Sequence, residues 1–313
     1  DFEVVGTAAD PFVARDKIVA LKPDVLTLDV EMPRMDGVEF LRKLMPQYPL
    51  PVVMVSSFTE QGTQTTLDAL DAGAIDFVSK PKADIANGLE NMILELATKL
   101  KIASTANVSH WKNERFKRQP VSSESKKALS QSTDKIIAIG ASAGGTVAIT
   151  GIITRFPTDI PGIVIVQHMP PVFTKSFADR LNQLSEITVK EAQNGDRIVP
   201  GLALLAPGGL QMRVVRSGSH YEVECREGEL CCGHSPSVEV MMQSVAKTAG
   251  INAIGVMLTG MGSDGADGLK AMRDAGARTL AQDEKSCVVF GMPKVAWERG
   301  GAERLVPLND ISD

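Results

Sequence analysis

From Asp1 to about Lys101, short apolar runs alternate with longer stretches whose apolar residues recur at helical spacing. The runs are Glu3-Val4-Val5-Gly6, Asp24-Val25-Leu26-Thr27-Leu28-Asp29, Pro51-Val52-Val53-Met54-Val55 and Ala74-Ile75-Asp76-Phe77-Val78. Strands that are apolar throughout and separated by helices belong to a parallel sheet covered on both faces. The pattern therefore predicts a doubly wound α/β domain over residues 1–101. From about Ala103 the pattern fades into a stretch rich in Ser, Lys, Gln and Asn, so residues 102–134 read as an interdomain linker whose start can be helical.

The rhythm resumes with Lys135–Gly140, Gly162–Gln167, Gly201–Ala206 and Ile251–Thr259. Before the last of these, Gln211–Val215 and His220–Cys225 flank the turn Arg216-Ser217-Gly218-Ser219, a hairpin pattern. Residues 135–313 are thus expected to form a second doubly wound, mainly parallel α/β domain with a β-hairpin excursion. In open sheets of this kind sites form beyond the carboxyl ends of the strands. The residues just after each apolar run are where chemistry is to be sought.

A chain of 313 residues suits two domains. Its 43% hydrophobic and 23% charged residues are those of ordinary globular proteins, which argues against wholesale disorder. A net charge of -5 argues against a nucleic-acid partner, and the basic run Lys112–Arg118 is too short to reverse that. No apolar stretch approaches the roughly 20 residues of a membrane span, and nothing at the start resembles a signal peptide. The expectation is a cytoplasmic protein that is not integral to a membrane. Four cysteines in so long a chain do not suggest a disulfide framework. Cys225, Cys231, Cys232 and His234 invite a metal reading, but adjacent cysteines suit a tetrahedral zinc site poorly and no CxxC pair accompanies them.

In the first half, Asp29 and Ser56 each end an apolar strand, and Lys80 follows Val78-Ser79. An acid, a hydroxyl and an ammonium group can therefore meet at one sheet edge, a set suited to phosphoryl transfer onto the carboxylate. Taken singly, Asp29 reads as a cap and Lys80 as a solvated lysine. Together with Glu31-Met32-Pro33-Arg34-Met35-Asp36-Gly37, the set resembles the flavodoxin-like receiver domain of two-component response regulators. That resemblance implies Asp29 as phospho-acceptor, Ser56 as switch hydroxyl, Lys80 as the receiver lysine and Phe77 as switch aromatic. Receivers use Mg²⁺ in phosphorylation, held by an acidic pair at the end of the first strand. Here that strand and pair are expected upstream of residue 1, so no metal ligands are assigned.

In the second half, Gly140-Ala141-Ser142-Ala143-Gly144-Gly145 follows a strand and precedes a helical pattern. It satisfies G-x-S-x-G, whose sharp turn lifts a serine hydroxyl above the sheet edge, though a glycine-rich turn can equally cradle a nucleotide phosphate. A serine nucleophile needs a base, and the chain has four histidines. His110 lies in the linker and His220 in the hairpin. His168 directly follows Gly162–Gln167 and is the best placed, with His234 as competitor. Asp264, in Thr259-Gly260-Met261-Gly262-Ser263-Asp264-Gly265, follows another strand and can orient an imidazole. The same loop spells G-x-G-x-x-G, with Asp283 beyond a later apolar run, and so approximates a dinucleotide-binding fingerprint. That fingerprint normally belongs to the first βαβ unit and leaves Ser142 and His168 without a role. The triad ranks first, plain tight turns second, the dinucleotide site third.

Ser142 in GASAGG, His168 in VQHMPP, the loop GHSPSVE and Asp264 in TGMGSDG, behind a receiver and linker, resemble the CheB family of chemotaxis methylesterases over essentially the whole chain. Many members have Thr at Ala143 and Arg at Ser235. The resemblance implies Ser142 as nucleophile, His168 as general base, Asp264 as its orienting partner and the backbone amide of Met261 in the oxyanion hole. It further implies hydrolysis of glutamyl γ-methyl esters on methyl-accepting chemoreceptors without a cofactor, deamidation of receptor glutamines, and control by a chemotaxis histidine kinase. Two alternatives remain open, a non-catalytic receiver-type binding module and a dinucleotide-binding enzyme that uses Gly260–Gly265.

Overall fold

The computed structural model describes residues 2–57, 60–81, 85–112 and 135–313. The chain divides into two compact units, Asp1–Arg118 and Gln119–Asp313.

The first unit is built on a parallel sheet of β1 (Leu26–Asp29), β2 (Val52–Ser56) and β3 (Asp76–Ser79), in that order. Val52, Val53 and Met54 are wholly buried, so the central strand is covered on both faces as its unbroken apolar run requires. Helix α1 (Pro11–Leu21) starts where Asp10 accepts hydrogen bonds from the Phe12 and Val13 amides, with Pro11 in the first turn. Helix α2 (Gly37–Gln47) starts at Asp36, which accepts from the Glu39 amide. Gly37 is required there, because a Cβ would lie 2.3 Å from the Asp29 carbonyl oxygen. Helices α3 (Glu60–Asp71) and α4 (Ile85–Ser104) complete the βα units.

One expectation changes. Glu3–Gly6 form no strand, and Val4 is 79% exposed. A strand exists through its ladder, and no described strand lies beside this segment; instead the Lys17 ammonium holds the Thr7 carbonyl at 2.7 Å. The helix α4 also runs on to Ser104, and a 3₁₀ turn at Ser109–Lys112 brings the Trp111 ring within 3.2 Å of where a Cβ on Gly73 would stand. The stretch assigned to the linker thus has the helical start that the sequence allowed; residues 113–134, its remainder, lie outside the described residues.

The second unit contains a fully parallel seven-stranded sheet. Its strands are β4 (Ile136–Ala141), β5 (Gly162–Gln167), β6 (Thr188–Glu191), β7 (Leu202–Leu205), β10 (Ala253–Met257), β11 (Arg278–Gln282) and β12 (Arg304–Val306). Their spatial order is β12-β11-β10-β4-β5-β7-β6. The hairpin β8 (Gln211–Ser217) and β9 (His220–Arg226) stands as a separate antiparallel pair, closed by Gly218 at φ 59. Helices α5 (Gly145–Ile153), α6 (Pro171–Leu184), α7 (Val238–Ala249), α8 (Ala266–Asp274) and α9 (Met292–Glu298) connect or cover these strands. One core cluster joins the hairpin, α7 and α8 to the sheet through Val223, Met241, Met242, Leu269 and Val164.

This order creates the position that matters. From β4 the chain steps to β5 on one side and only later to β10 on the other. The carboxyl end of β4 is therefore a switch point, where the loops on either side diverge and leave a crevice.

Candidate active site

Each member of the expected triad follows one of the three adjacent strands at that switch point. Pairing of β4 with β5 runs to Ala141↔Gln167, one residue short of Ser142 and His168. Pairing of β4 with β10 runs to Gly140↔Met257, just before the Thr259–Gly265 loop.

Ser142 is fixed by its own backbone. Its amide donates to the Thr259 carbonyl at 3.0 Å, and its carbonyl accepts from the Gly145 amide at 2.7 Å and from Gln167 Nε2 at 2.9 Å. Gly144 turns the chain into α5 at φ 74, a left-handed conformation; a Cβ there would also meet Val288 at 2.6 Å. Buried Thr259 ties the turn to the next loop, donating to the Ala143 carbonyl and accepting from the Val289 amide, both at 2.9 Å.

His168 is held at the end of β5, its amide donating to the Ala141 carbonyl at 3.1 Å. Its Nε2 lies 2.7 Å from Asp264 Oδ2, with side-chain exposures of 8% and 2%. Asp264 also accepts from Ser237 Oγ at 2.7 Å, the Val238 amide at 2.8 Å and the Glu239 amide at 3.0 Å. These groups form the N-terminus of α7, where unpaired amides and the helix dipole favour an anion. Burial alone would raise the Asp264 carboxyl. The hydrogen bond and charge of His168, the Ser237 hydroxyl and the Glu239 amide outweigh it and hold the group below its ordinary value.

A carboxylate only accepts, so Nε2 carries the proton that faces Asp264, and in the neutral imidazole the lone pair is on Nδ1. Nδ1 is buried and has no hydrogen-bond partner among the described residues, so no bond yet joins His168 to Ser142. The unpaired nitrogen is what a base awaiting a hydroxyl proton offers.

The loop after β10 passes directly against Ser142. A Cβ on Gly260 would stand 2.8 Å from Ser142 Cβ, and Met261 is 46% exposed. Gly262 and Gly265 both have positive φ, 87 and 85, and a Cβ on Gly265 would strike Val238 at 2.3 Å. The glycine spacing that suggested a dinucleotide fingerprint is thus accounted for by the close approach of Gly260 to Ser142 and of Gly265 to α7, and by the positive φ of Gly262. Asp283, the ribose candidate of that reading, accepts from the Ser286 amide at 3.1 Å within its own turn.

The other histidines separate. His220 pairs with Glu222 at 2.7 Å on the hairpin. The His234 ring stacks on His168, centroids 3.7 Å apart and planes 15° apart. The sulfurs of Cys231 and Cys232 and the Asp264 carboxylate lie within 4.8 Å of one another. These donors do not fit a metal ion: both Asp264 oxygens are engaged, and the Cys232 thiol is pushed up to about 11 by burial and then by Asp264 and Cys231. Cys225 is buried in the hairpin–helix core, where burial and nearby acids push its thiol up to about 12.

In the first unit, Lys80 Nζ lies 2.5 Å from Asp29 Oδ2. The Glu31 amide donates to Asp29 Oδ1 at 3.1 Å. Ser56 is wholly buried; it receives a hydrogen bond from Thr66 at 2.6 Å and donates to the Gly62 carbonyl at 3.3 Å. Phe77 is also buried, with the Lys99 ammonium 5.1 Å from its ring centroid. Asp29 and Lys80 are brought together, while Ser56 and Phe77 face inward partners. With Asp29 bonded at both oxygens, the described residues do not make up an oxygen cage for Mg²⁺.

The sequence did not single out Gln167, Thr259, Gln211 or Ser237. Each acts through a bond spanning many residues, and only the strand-end position of Gln167 and the helix-start context of Ser237 left any signal.

The two halves thus pair a receiver-type acid-and-lysine edge with a serine-hydrolase-type constellation on an α/β sheet. The response regulator receiver model matches residues 1–90, and the CheB methylesterase model matches residues 137–313. The chain belongs to the CheB methylesterase family. It is 67% identical over 311 residues to a protein-glutamate methylesterase/protein-glutamine glutaminase of Syntrophotalea carbinolica, covering 99% of this chain and 88% of the relative. A protein of the same name from Sulfurimonas denitrificans is 54% identical, with 99% and 89% covered. The Thermotoga maritima CheB methylesterase catalytic domain superposes with a TM-score of 0.56 at 37% identity, over 58% of this chain and 96% of that one. Among the described residues no helix is long and apolar enough to cross a membrane.

Proposed function

We propose that residues 135–313 hydrolyse glutamyl γ-methyl esters, and deamidate glutamines, on methyl-accepting chemoreceptors through Ser142, His168 and Asp264. The observation that carries this reading is the 2.7 Å His168–Asp264 pair, buried at the switch point beside the Ser142 turn. Ser142 Oγ attacks the ester carbonyl as His168 Nδ1 takes its proton. Asp264 stabilises the imidazolium so formed. The Met261 amide, on the loop against Ser142, stabilises the oxyanion; one such donor is worth about 3 kcal/mol. The proton then passes to the departing methoxide, releasing methanol. Water, deprotonated by Nδ1, cleaves the acyl-enzyme to glutamate. With glutamine the leaving group is ammonia, and the same steps apply.

Residues 1–101 act in this reading as the regulatory receiver in the cytoplasm, with Asp29 accepting phosphate from a chemotaxis histidine kinase. Lys80, already paired to Asp29, is suited to bind phosphoryl oxygens, and Ser56 and Phe77 would have to leave their present partners to act as switch residues. Phosphorylation of receivers is generally Mg²⁺-dependent.

The test is methanol release from methylated receptor by the wild type and by Ser142→Ala. Loss of release by at least about a thousandfold is expected. Equal rates would sink the mechanism.

A further inference from the structure

We infer that His234 is a positioning residue that holds the catalytic imidazole in plane, an inference that rests on the triad reading above. His168 is anchored at its backbone and at Nε2, which leaves its ring free to swing about the bond to Asp264. Such a swing would carry Nδ1 away from the Ser142 hydroxyl while keeping the hydrogen bond to Asp264. The His234 ring, stacked at 3.7 Å and 15°, closes one face of His168 against that motion. A loss of alignment of this kind falls on the chemical step, because reaction rate is steep in the position of the reacting atoms.

The loop that presents His234 is built to do so. The backbones of Cys231 and His234 bond to each other in both directions, at 3.1 Å and 2.9 Å. Gln211, buried at the start of β8, donates through Nε2 to the His234 carbonyl at 3.0 Å and accepts through Oε1 from the Ser237 amide at 2.9 Å. One buried amide thus fixes both the ring that stacks on His168 and the serine that caps Asp264. The imidazole is bonded at its edge by Asp264, which Ser237 caps, and covered on its face by His234, so His234 and Ser237 act on it from one short loop.

The role assigned to His234 is that of its aromatic plane. The experiment measures kcat and KM for methyl-ester hydrolysis on receptor by the full chain carrying His234→Ala, His234→Gln or His234→Phe, with Ser142→Ala as control and thermal unfolding alongside. His234→Ala and His234→Gln are expected to lower kcat about tenfold with KM within about twofold, and His234→Phe to recover to within about threefold of wild type. Wild-type kcat in His234→Gln, a loss confined to KM, or a folded His234→Phe as slow as His234→Gln would each overturn the inference. If His234→Ala fails to fold, the Gln and Phe pair decides alone. An active Ser142→Ala would instead overturn the triad, a separate result.

Discussion

Asp264 carries more of the site than any other side chain, since it accepts four hydrogen bonds from His168 and the start of α7. An amide in its place would turn one acceptor oxygen into a donor facing donors. Asp264→Asn should therefore lower kcat by on the order of 10⁴-fold, because the imidazole loses its tautomer. It should also destabilise the fold by about 3 kcal/mol, as expected when one partner of a buried pair is removed. The sign of the pH effect follows from the depressed carboxyl. Its stabilisation is fully present above the ordinary value of 3.8 and is lost as pH falls below that, through the folded-state value. Urea unfolding between pH 3 and pH 7 should show a steeper acid limb in the wild type than in Asp264→Asn; superimposable limbs would contradict the assignment.

At the scale of elements, the helices α7 and α8 depend on glycines that let the backbone come close. Gly265 combines a left-handed φ of 85 with 2.3 Å clearance to Val238. Gly265→Ala adds both conformational strain and overpacking, and should cost about 3 kcal/mol, read as a lowered melting temperature with reduced esterase activity. Such tertiary demands explain what the sequence could and could not disclose. The buried strands β4, β5, β7 and β10 announce themselves as apolar runs, and the hairpin through its turn residues. The edge strands β6 and β12 are short and carry Lys190, Glu191 and Arg304, so their pattern is weak. Glu3–Gly6 has the composition of a strand but no ladder partner among the described residues. At the candidate site, Ser142 and His168 are legible because each directly follows a strand, and Asp264 because it lies in the glycine-rich loop that leaves β10. The capping of Asp264 by Ser237, and the clamp through Gln211, join residues 23 to 27 positions apart and leave no local trace.

At the scale of the whole molecule, the catalytic unit holds its own seven-stranded sheet and core, the conditions for folding alone. If the receiver restrains catalysis, deleting residues 1 to about 130 should raise basal ester hydrolysis on receptor. Unchanged or lower activity in a fragment shown to be folded would count against restraint.

The triad draws one residue from beyond each of three neighbouring strands, with the strand of Ser142 between those preceding Asp264 and His168. No two members share a loop, so the polypeptide's direction of travel does not enter the chemistry. A circularly permuted catalytic unit, opened at the Gly218 turn and joined from Asp313 to Lys135 by a flexible linker, would meet the three residues as Asp, Ser, His. It should still release methanol, because the sheet, and not the reading order of the chain, brings them together.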